Sequence, residues 1–204
     1  MDTDQTQVPE NVCTPETFLA NISGAFARAL SDKMDRAVTE TTGFSTSACY
    51  AIVTIGTEPG NSIETLRRML SLEHSSLVRL IDRLENLGIL RRTRGKPGDK
   101  RQVLIDLTEK GHELFQDILT ARHRVLQRLV AFLDQGERDS LKTLIEKMMQ
   151  CVVEPGSDQH YACRLCDPKF CPQDICPVNR AFPEYYEPPR LPHNEQPIAG
   201  PQVY

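Results

Sequence analysis

The sequence contains no tryptophan, and aromatic residues make up only 6% of it. Hydrophobic residues account for 39% of the 204 positions, so part of the chain has little to contribute to a core. Because the sequence has no run of 18 apolar residues, it predicts no membrane-spanning helix. Its first residues are acidic and polar, unlike the basic start and apolar core of a signal peptide. We therefore expect a cytoplasmic protein with one folded domain and extensions.

The chain also lacks an overall excess of positive charge, since its formal net charge is −4. The total therefore does not indicate nucleic-acid binding, but the distribution of charge does. Residues 88–101 carry six Lys or Arg side chains and one Asp, which makes a local basic ribbon on an acidic protein. Such a ribbon is typical of a surface that meets phosphate groups.

Apolar residues at spacings of three and four predict amphipathic helices in the first three quarters of the chain. Thr14 followed by Pro15, and then Ser45 and Ser62, are typical helix caps. Gly88 stands where a left-handed residue would end a helix. The expected helices are 16–40, 45–55, 63–70, 73–87, 109–133 and 137–152.

The pattern changes after Gly88, where residues 89–94 and 102–107 are typical of two strands. A turn-rich basic tip, residues 95–100, lies between them and predicts a hairpin. We expect a mainly α fold with a small β-hairpin wing, because a short helix, a tight turn, a longer helix and a basic hairpin form a winged helix-turn-helix. This DNA-binding domain would span residues 45–108, and the alternative is a helical domain with a solvated charged hairpin.

The predicted helix 73–87 has a polar face that suits the major groove of DNA. Arg79 could make a bidentate contact to guanine. The hairpin residues suit phosphate contact or insertion into a narrow minor groove. The candidate DNA-binding residues are Ser75, Ser76, Arg79 and Arg83 on the helix, and Arg94, Lys96, Lys100 and Arg101 on the hairpin.

Two runs of sequence resemble the multiple-antibiotic-resistance regulator (MarR) family. They are SSLVRLIDRLENLGIL at 75–90 and DKRQVLIDLTEKG at 99–111. The second resembles the family's wing signature, and it implies that Asp99 orders the wing and that Arg101 enters the minor groove. The resemblance covers about residues 15–152 and implies a homodimer that represses by binding a short palindromic operator. It also implies a possible small-molecule effector in a crevice between the dimer helices and the winged domain.

The helices outside the winged domain have more apolar surface than one small domain can bury. We expect residues 15–44 and 109–152 to form dimerisation helices, because symmetric pairing would cover that surface. A monomer with a self-contained helical cap is the alternative. Residues 1–14 are expected to form a disordered arm.

Four cysteines lie within fourteen residues: Cys163, Cys166, Cys171 and Cys176. In a cytoplasmic protein, cysteines are more often free thiols or metal ligands than disulfides. We expect residues 155–182 to form a cysteine-rich, metal- or cluster-binding loop beyond the last dimerisation helix. The resemblance does not extend to it.

The spacing, Cys-x2-Cys-x4-Cys-x4-Cys, leaves three interpretations open. Four thiolates in one compact run favour an iron–sulfur cluster, with a four-iron centre preferred to a two-iron one, although both need four ligands. Zinc also takes four thiolates but is usually held by two Cys-x2-Cys pairs, and only one is present. Metal-free redox thiols are the third interpretation.

The composition shifts again at the C-terminus, where ten of the fourteen prolines lie in the last fifty residues. Residues 183–204 are expected to form an extended Pro-rich tail, with recognition by a protein partner as one possible role. The sequence shows no Gly-rich phosphate loop and no His-Glu-x-x-His motif, so we do not expect an enzyme.

The favoured hypothesis is a dimeric DNA-binding repressor whose operator binding is modulated by an iron–sulfur cluster that senses redox, oxygen or iron status. The main rival is a MarR-type repressor that responds to a small molecule and carries a structural zinc.

Overall fold

The computed structural model describes residues 14–94, 103–153, 162, 164–167, 170 and 176–181. Most of these residues are helical, with a small antiparallel sheet. The elements in chain order are α1 (Pro15–Thr42), α2 (Thr46–Thr57), β1 (Asn61–Ser62), α3 (Ile63–Leu70), α4 (His74–Asn86), β2 (Leu90–Arg94), β3 (Val103–Leu107), α5 (Glu109–Val130), α6 (Gln135–Val152) and α7 (Pro177–Ala181). The predicted mainly α fold with a hairpin is confirmed.

Local capping chemistry sets where the helices begin. Thr14, Ser45 and Ser62 each accept a hydrogen bond from the backbone N–H three residues later, at 3.2, 3.4 and 3.1 Å. These bonds satisfy donors that the first helical turn leaves without partners, so all three predicted caps are confirmed. Asp134 and Glu137 form a capping box, and α6 therefore begins two residues before its predicted start.

Residues in the left-handed backbone conformation end three of the helices, at points where the chain turns sharply. Gly43 follows α1 with φ of 71°, and Gly88 follows α4 with φ of 70°, as its predicted role requires. Ser71 adopts φ of 50° between α3 and α4, and its N–H bonds back to the last turn of α3. The helix–turn–helix angle is therefore built from a non-glycine residue in a glycine-like conformation.

The sheet has three strands in the order β1–β3–β2, with both pairings antiparallel. The two predicted strands are confirmed, with Leu90 opposite Leu107 and Arg94 opposite Val103. The third strand was not predicted: β1 lies between the predicted helices 45–55 and 63–70, and its Asn61 pairs with Ile105. A two-residue strand has no periodicity of its own, so it forms only because the edge of β3 is available.

The core lies around α2, whose residues face neighbours on nearly every side. Ile52, Ile55 and Cys49 on this helix are fully buried. The same cluster includes Leu66 of α3, Leu77, Ile81 and Leu84 of α4, Ile105 of β3 and Ile118 of α5. The core therefore joins the helix-turn-helix, the hairpin and the long helix α5 in one apolar cluster.

The predicted cysteine-rich loop 155–182 needs one correction, because residues 177–181 form the short helix α7. Thr14 is the one described residue of the predicted arm 1–14. The other residues of the arm and the Pro-rich tail 183–204 lie outside the described residues. The division into dimerisation helices and a winged domain stays a prediction. Among the described residues, no helix is both long enough and apolar enough to cross a membrane.

A close backbone approach joins the end of α4 to the start of α5. Thr108 accepts a hydrogen bond from the Gly111 N–H at 3.2 Å and donates from its hydroxyl to the Gly88 carbonyl at 2.6 Å. A Cβ atom on Gly111 would lie 2.2 Å from the Ile89 carbonyl oxygen. Glycine at this position is therefore required by packing against backbone, which cannot yield as a flexible side chain can.

We expect Gly111→Ala to lower the free energy of unfolding by about 2 kcal/mol, since the added methyl group overpacks a fixed site. Gly24→Ala is the matched control, because no atom lies within 4 Å of the added Cβ on this exposed face of α1. The control should gain roughly 0.5–1 kcal/mol from higher helix propensity. Urea denaturation of both variants measures the difference, and equal stabilities would refute the packing argument.

Candidate nucleic-acid interface

The helix α4 separates an apolar face from a polar one. Leu77, Ile81 and Leu84 are fully buried against the core. The predicted DNA-binding residues of this helix, Ser75, Ser76, Arg79 and Arg83, are all exposed. Because they occupy positions i, i+1, i+4 and i+8, they share the outward face of one helix. The structure thus brings these four predicted residues together on a surface that a DNA groove could accept.

The start of α4 carries further polar groups. Glu73 is its N-cap residue and makes no side-chain capping bond. His74 is the first helical residue and is exposed beside Ser75. The N-terminal turn therefore presents the small hydroxyl side chains of Ser75 and Ser76, beside an exposed carboxylate whose negative charge opposes phosphate.

The hairpin is tied to α4 through Arg92 at its root. The Arg92 guanidinium bonds to Asp82 at 2.5 Å and also contacts the Glu85 carboxylate. Glu85 accepts a second bond, at 3.2 Å, from the Arg92 backbone N–H. The hydrogen bond to Asp82 is the largest of the effects that raise the pKa of Arg92 above its ordinary value. These bonds fix the direction in which the hairpin leaves the helix.

Across the hairpin, Thr93 on β2 donates to the Asp106 carboxylate on β3 at 2.9 Å. Behind it, Lys110 of α5 donates to the Leu87 carbonyl at 3.1 Å. The Thr93 bond thus joins the two strands to each other, the Arg92 contacts join β2 to α4, and the Lys110 bond joins α5 to the end of α4. The base of the wing is therefore held beside α4 by side-chain contacts.

The remaining predicted wing residues cannot be placed in the same way. Lys96, Lys100, Arg101 and the wing-ordering Asp99 lie outside the described residues. Arg94 ends β2, so its backbone position at the hairpin is described. The roles of these five residues stay predictions.

The cysteine cluster is described only in part. Cys166 lies beside α5, where the Arg122 Nη2 is 4.0 Å from its sulfur. Cys176 is 5% exposed and packs with Val153 and Val178 near the end of α6. Cys163 and Cys171 lie outside the described residues. Within the described part of the chain, no three His, Cys, Asp or Glu side chains form a metal-binding group.

Sequence reasoning missed the structural role of Arg92, which it counted only as part of the basic ribbon. The signal was present in principle, because Asp82 and Glu85 lie one helical turn apart on α4 and face the following strand. It also missed Thr108 as the residue that joins α5 to the end of α4.

An exposed polar helix behind a tethered hairpin defines the class of winged helix DNA-binding domains, and residues 44–111 match the family model described as a winged helix DNA-binding domain. The transcriptional repressor MprA of Escherichia coli is 29% identical over 109 residues, which are 52% of this chain and 61% of MprA. The chain thus spans less than two thirds of that relative.

The uncharacterized HTH-type transcriptional regulator Mb0904 of Mycobacterium bovis is 31% identical over 110 residues, which are 54% of this chain and 76% of that one. The apo form of wild-type MarR from Escherichia coli is 25% identical, with a TM-score of 0.51, and the match covers 62% of this chain and 96% of MarR. The chain belongs to the MarR family of winged helix regulators. The family match ends at residue 111, ahead of the clustered cysteines.

We expect Arg92→Met to lower the free energy of unfolding, because it removes the ion pairs to Asp82 and Glu85. The loss should be only about 1 kcal/mol, since the Arg92 side chain is 29% exposed and solvent screens part of these ion pairs. Arg91→Met removes the same charge from the neighbouring, exposed position and is the matched control. Thermal or urea unfolding measures both variants. If Arg91→Met loses as much stability as Arg92→Met, the ion pairs of Arg92 with Asp82 and Glu85 make no specific contribution to stability.

Proposed function

We propose that this chain is a homodimeric DNA-binding transcriptional repressor whose operator affinity depends on a metal centre held by its clustered cysteines. The observation that carries the DNA-binding part is the outward face of α4, with Ser75, Ser76, Arg79 and Arg83 exposed together. A helix of 13 residues with such a face fits the major groove of B-form DNA. The hairpin, held by Arg92, would then direct Lys96, Lys100 and Arg101 toward the backbone or the minor groove.

The dimer is proposed from apolar surface that this single chain leaves in solvent. On the first half of α1, Phe18, Leu19, Ile22 and Phe26 are between 45% and 61% exposed. On α6, no residue is buried, and Leu144, Ile145, Met148 and Val152 are between 46% and 71% exposed. Clusters of large apolar side chains that are this exposed typically mark a surface that another molecule covers. A second copy of the chain would cover both patches with the same residues that create them.

The operator follows from the symmetry of such a dimer. Two copies of α4, related by a two-fold axis, would enter successive major grooves about 34 Å apart on one side of the duplex. The operator would then be a palindrome with half-sites one helical turn apart. Repression is supported by the similarity to MprA, which is a transcriptional repressor.

The metal centre is proposed at Cys163, Cys166, Cys171 and Cys176. Four thiolates form a donor set that suits an iron–sulfur cluster or zinc. The Arg122 guanidinium beside Cys166 would offset the negative charge that several thiolates bring to one centre. When bound, an iron–sulfur cluster would supply sensitivity to redox state, oxygen or iron supply.

The position of the cysteines supports a link between this centre and the dimer. Cys166 lies against α5, whereas Cys176 packs beside Val153 at the end of α6. Thiolates that share one centre would join these two helices, and α6 carries one of the exposed apolar faces. Metal binding would thus bias the dimer toward one arrangement of its two α4 helices, provided the arrangements differ in affinity for the centre.

We expect Arg79→Ala to weaken operator binding by roughly 5- to 150-fold, the range for a lost bidentate contact to a base. Arg101→Ala should weaken binding to all sequences and reduce the dependence of affinity on salt by about one phosphate contact. Fluorescence anisotropy at several salt concentrations, on a duplex selected from a random pool by the wild-type protein, measures both.

Arg128→Ala is the matched control for these variants. This exposed residue lies near the far end of α5, roughly 28 Å from its first residue at 1.5 Å per residue. Its affinity and salt dependence should equal those of the wild type. Normal binding by Arg79→Ala would refute the assignment of α4 as the reading helix, and normal binding by Arg101→Ala would refute the wing assignment.

We expect anaerobically purified protein to be brown and to contain iron and sulfide, and Cys166→Ala to lose both and change operator affinity. Cys151→Ala is the matched control, because this exposed cysteine of α6 lies outside the cluster. Metal analysis and the visible absorption spectrum measure the outcome. A colourless protein with one zinc per chain would favour the small-molecule-responsive repressor with a structural zinc, and a protein with neither metal would refute the centre.

A further inference from the structure

Part of the cysteine-rich segment is packed against the winged domain and α5. Leu165 is 8% exposed and belongs to the same apolar cluster as the helices of the winged domain. Phe170 stacks on the His123 ring of α5, with ring centroids 4.8 Å apart and planes 11° apart. Beside it, Arg122 contacts Cys166. Two consecutive residues of α5 therefore hold the segment at two points.

A third contact reaches a different part of the fold. The Arg164 guanidinium lies 4.6 Å from the centre of the Tyr50 ring, in cation–π geometry. Tyr50 is on α2, the helix at the centre of the core. Leu165, the next residue along the segment, is anchored in that core, so the position of Arg164 is restricted on its C-terminal side.

Tyr50 in turn joins α2 to α1. Its hydroxyl donates to the Asp35 carboxylate of α1 at 2.6 Å. Burial, followed by this hydrogen bond, raises the pKa of Tyr50 to about 12 against the opposing effect of the Arg164 hydrogen bond and charge, so the phenol keeps its proton and remains a donor at any physiological pH. Arg164, Tyr50 and Asp35 thus form a continuous chain of contacts from the cysteine-rich segment to α1.

We propose that Arg164 is a positioning residue that transmits the state of the cysteine site to the junction of α1 and α2 through Tyr50. Arg164 stands between Cys163 and Cys166 in the sequence, so a metal bound by these two cysteines constrains the backbone that carries it. The junction joins the helix with the exposed apolar face of the proposed dimer to the helix at the centre of the winged domain. A shift there changes how the two α4 helices of a dimer are spaced. This inference rests on the metal centre of the proposed function.

The test is hydrogen–deuterium exchange of the backbone amides in residues 35–50 of the full-length protein. Arg164→Gln is compared with the wild type, first without metal and then after anaerobic reconstitution with iron(II) and sulfide, with zinc in a parallel sample. Arg180→Gln is the matched control, because Arg180 is an exposed arginine of α7 in the same extension. Iron, sulfide and zinc contents are measured for every sample.

Without metal, Arg164→Gln should speed exchange in residues 35–50 roughly three- to tenfold, as expected for loss of a partly buried cation–π contact. Reconstitution should change exchange there at least about twofold in the wild type and in Arg180→Gln, the lower limit for residues that carry coupling between two sites. Arg164→Gln should bind the same amount of metal and lose that response. Tyr50→Phe keeps the ring but loses the hydroxyl, and with it the hydrogen bonds to Asp35 and Arg164, so it should weaken the response, most strongly in α1.

Three results separate the possible failures. If Arg164→Gln keeps the metal-induced response of the wild type, the transmission is refuted. If it leaves exchange unchanged without metal, the contact itself contributes nothing. If the wild type takes up neither iron nor zinc, the proposed metal centre fails, while the metal-free comparison still decides whether Arg164 holds the junction. Arg164→Lys keeps the cation and should show the wild-type exchange pattern. That result would show that the loss of response in Arg164→Gln is not caused by misfolding.

Discussion

The close approach of α5 to the Ile89 carbonyl is the constraint on which the rest of the winged domain depends. At this point α4 ends, β2 begins, β3 ends and α5 begins. Only a residue without a side chain can occupy position 111, since a Cβ there would lie 2.2 Å from the carbonyl oxygen. Thr108 completes the junction by bonding to both sides of it. The direction of the long helix α5 is therefore set by the same contact that sets the root of the hairpin.

That junction explains why a short sequence signature carries so much structural information. In the run Leu-Thr-x-x-Gly, Leu107 fills the core, Thr108 caps α5 and joins it to Gly88, and Gly111 permits the close approach. Each position has a separate physical reason. The resemblance to the MarR family through this run therefore reflects a packing requirement of the fold.

The elements that could be predicted are those whose causes are local. Caps at Thr14, Ser45 and Ser62 need only nearby backbone donors, and each was read correctly from the sequence. The strand β1 was missed because Asn61 becomes a strand only through pairing with Ile105, a residue far along the chain. The helix ends near residues 133 and 137 were misplaced because the Asp134 capping box was overlooked.

The candidate site divides along the same line. The outward face of α4 follows from helical periodicity, so its four polar residues could be chosen from the sequence alone. The contacts of the cysteine-rich segment could not, because nothing in its spacing indicates that Leu165 enters the core or that Phe170 reaches His123. These are tertiary contacts between distant segments without a periodic pattern. Sequence spacing indicates what four thiolates could bind, but not which helices they would join.

The structure shows that the basic residues of the ribbon at 88–101 do not all have the same role. Of its six basic residues, Arg92 is already engaged by Asp82 and Glu85, so it is committed to holding the hairpin. A guanidinium with two carboxylate partners has little remaining attraction for phosphate, because its charge is largely offset at short range. The positive potential available to DNA would therefore come from Arg91, from residues nearer the tip and from Arg79 and Arg83 on α4. On a chain with a net charge of −4, binding would depend on where these few cations are held, and Arg92 is the residue that holds the hairpin beside the helix.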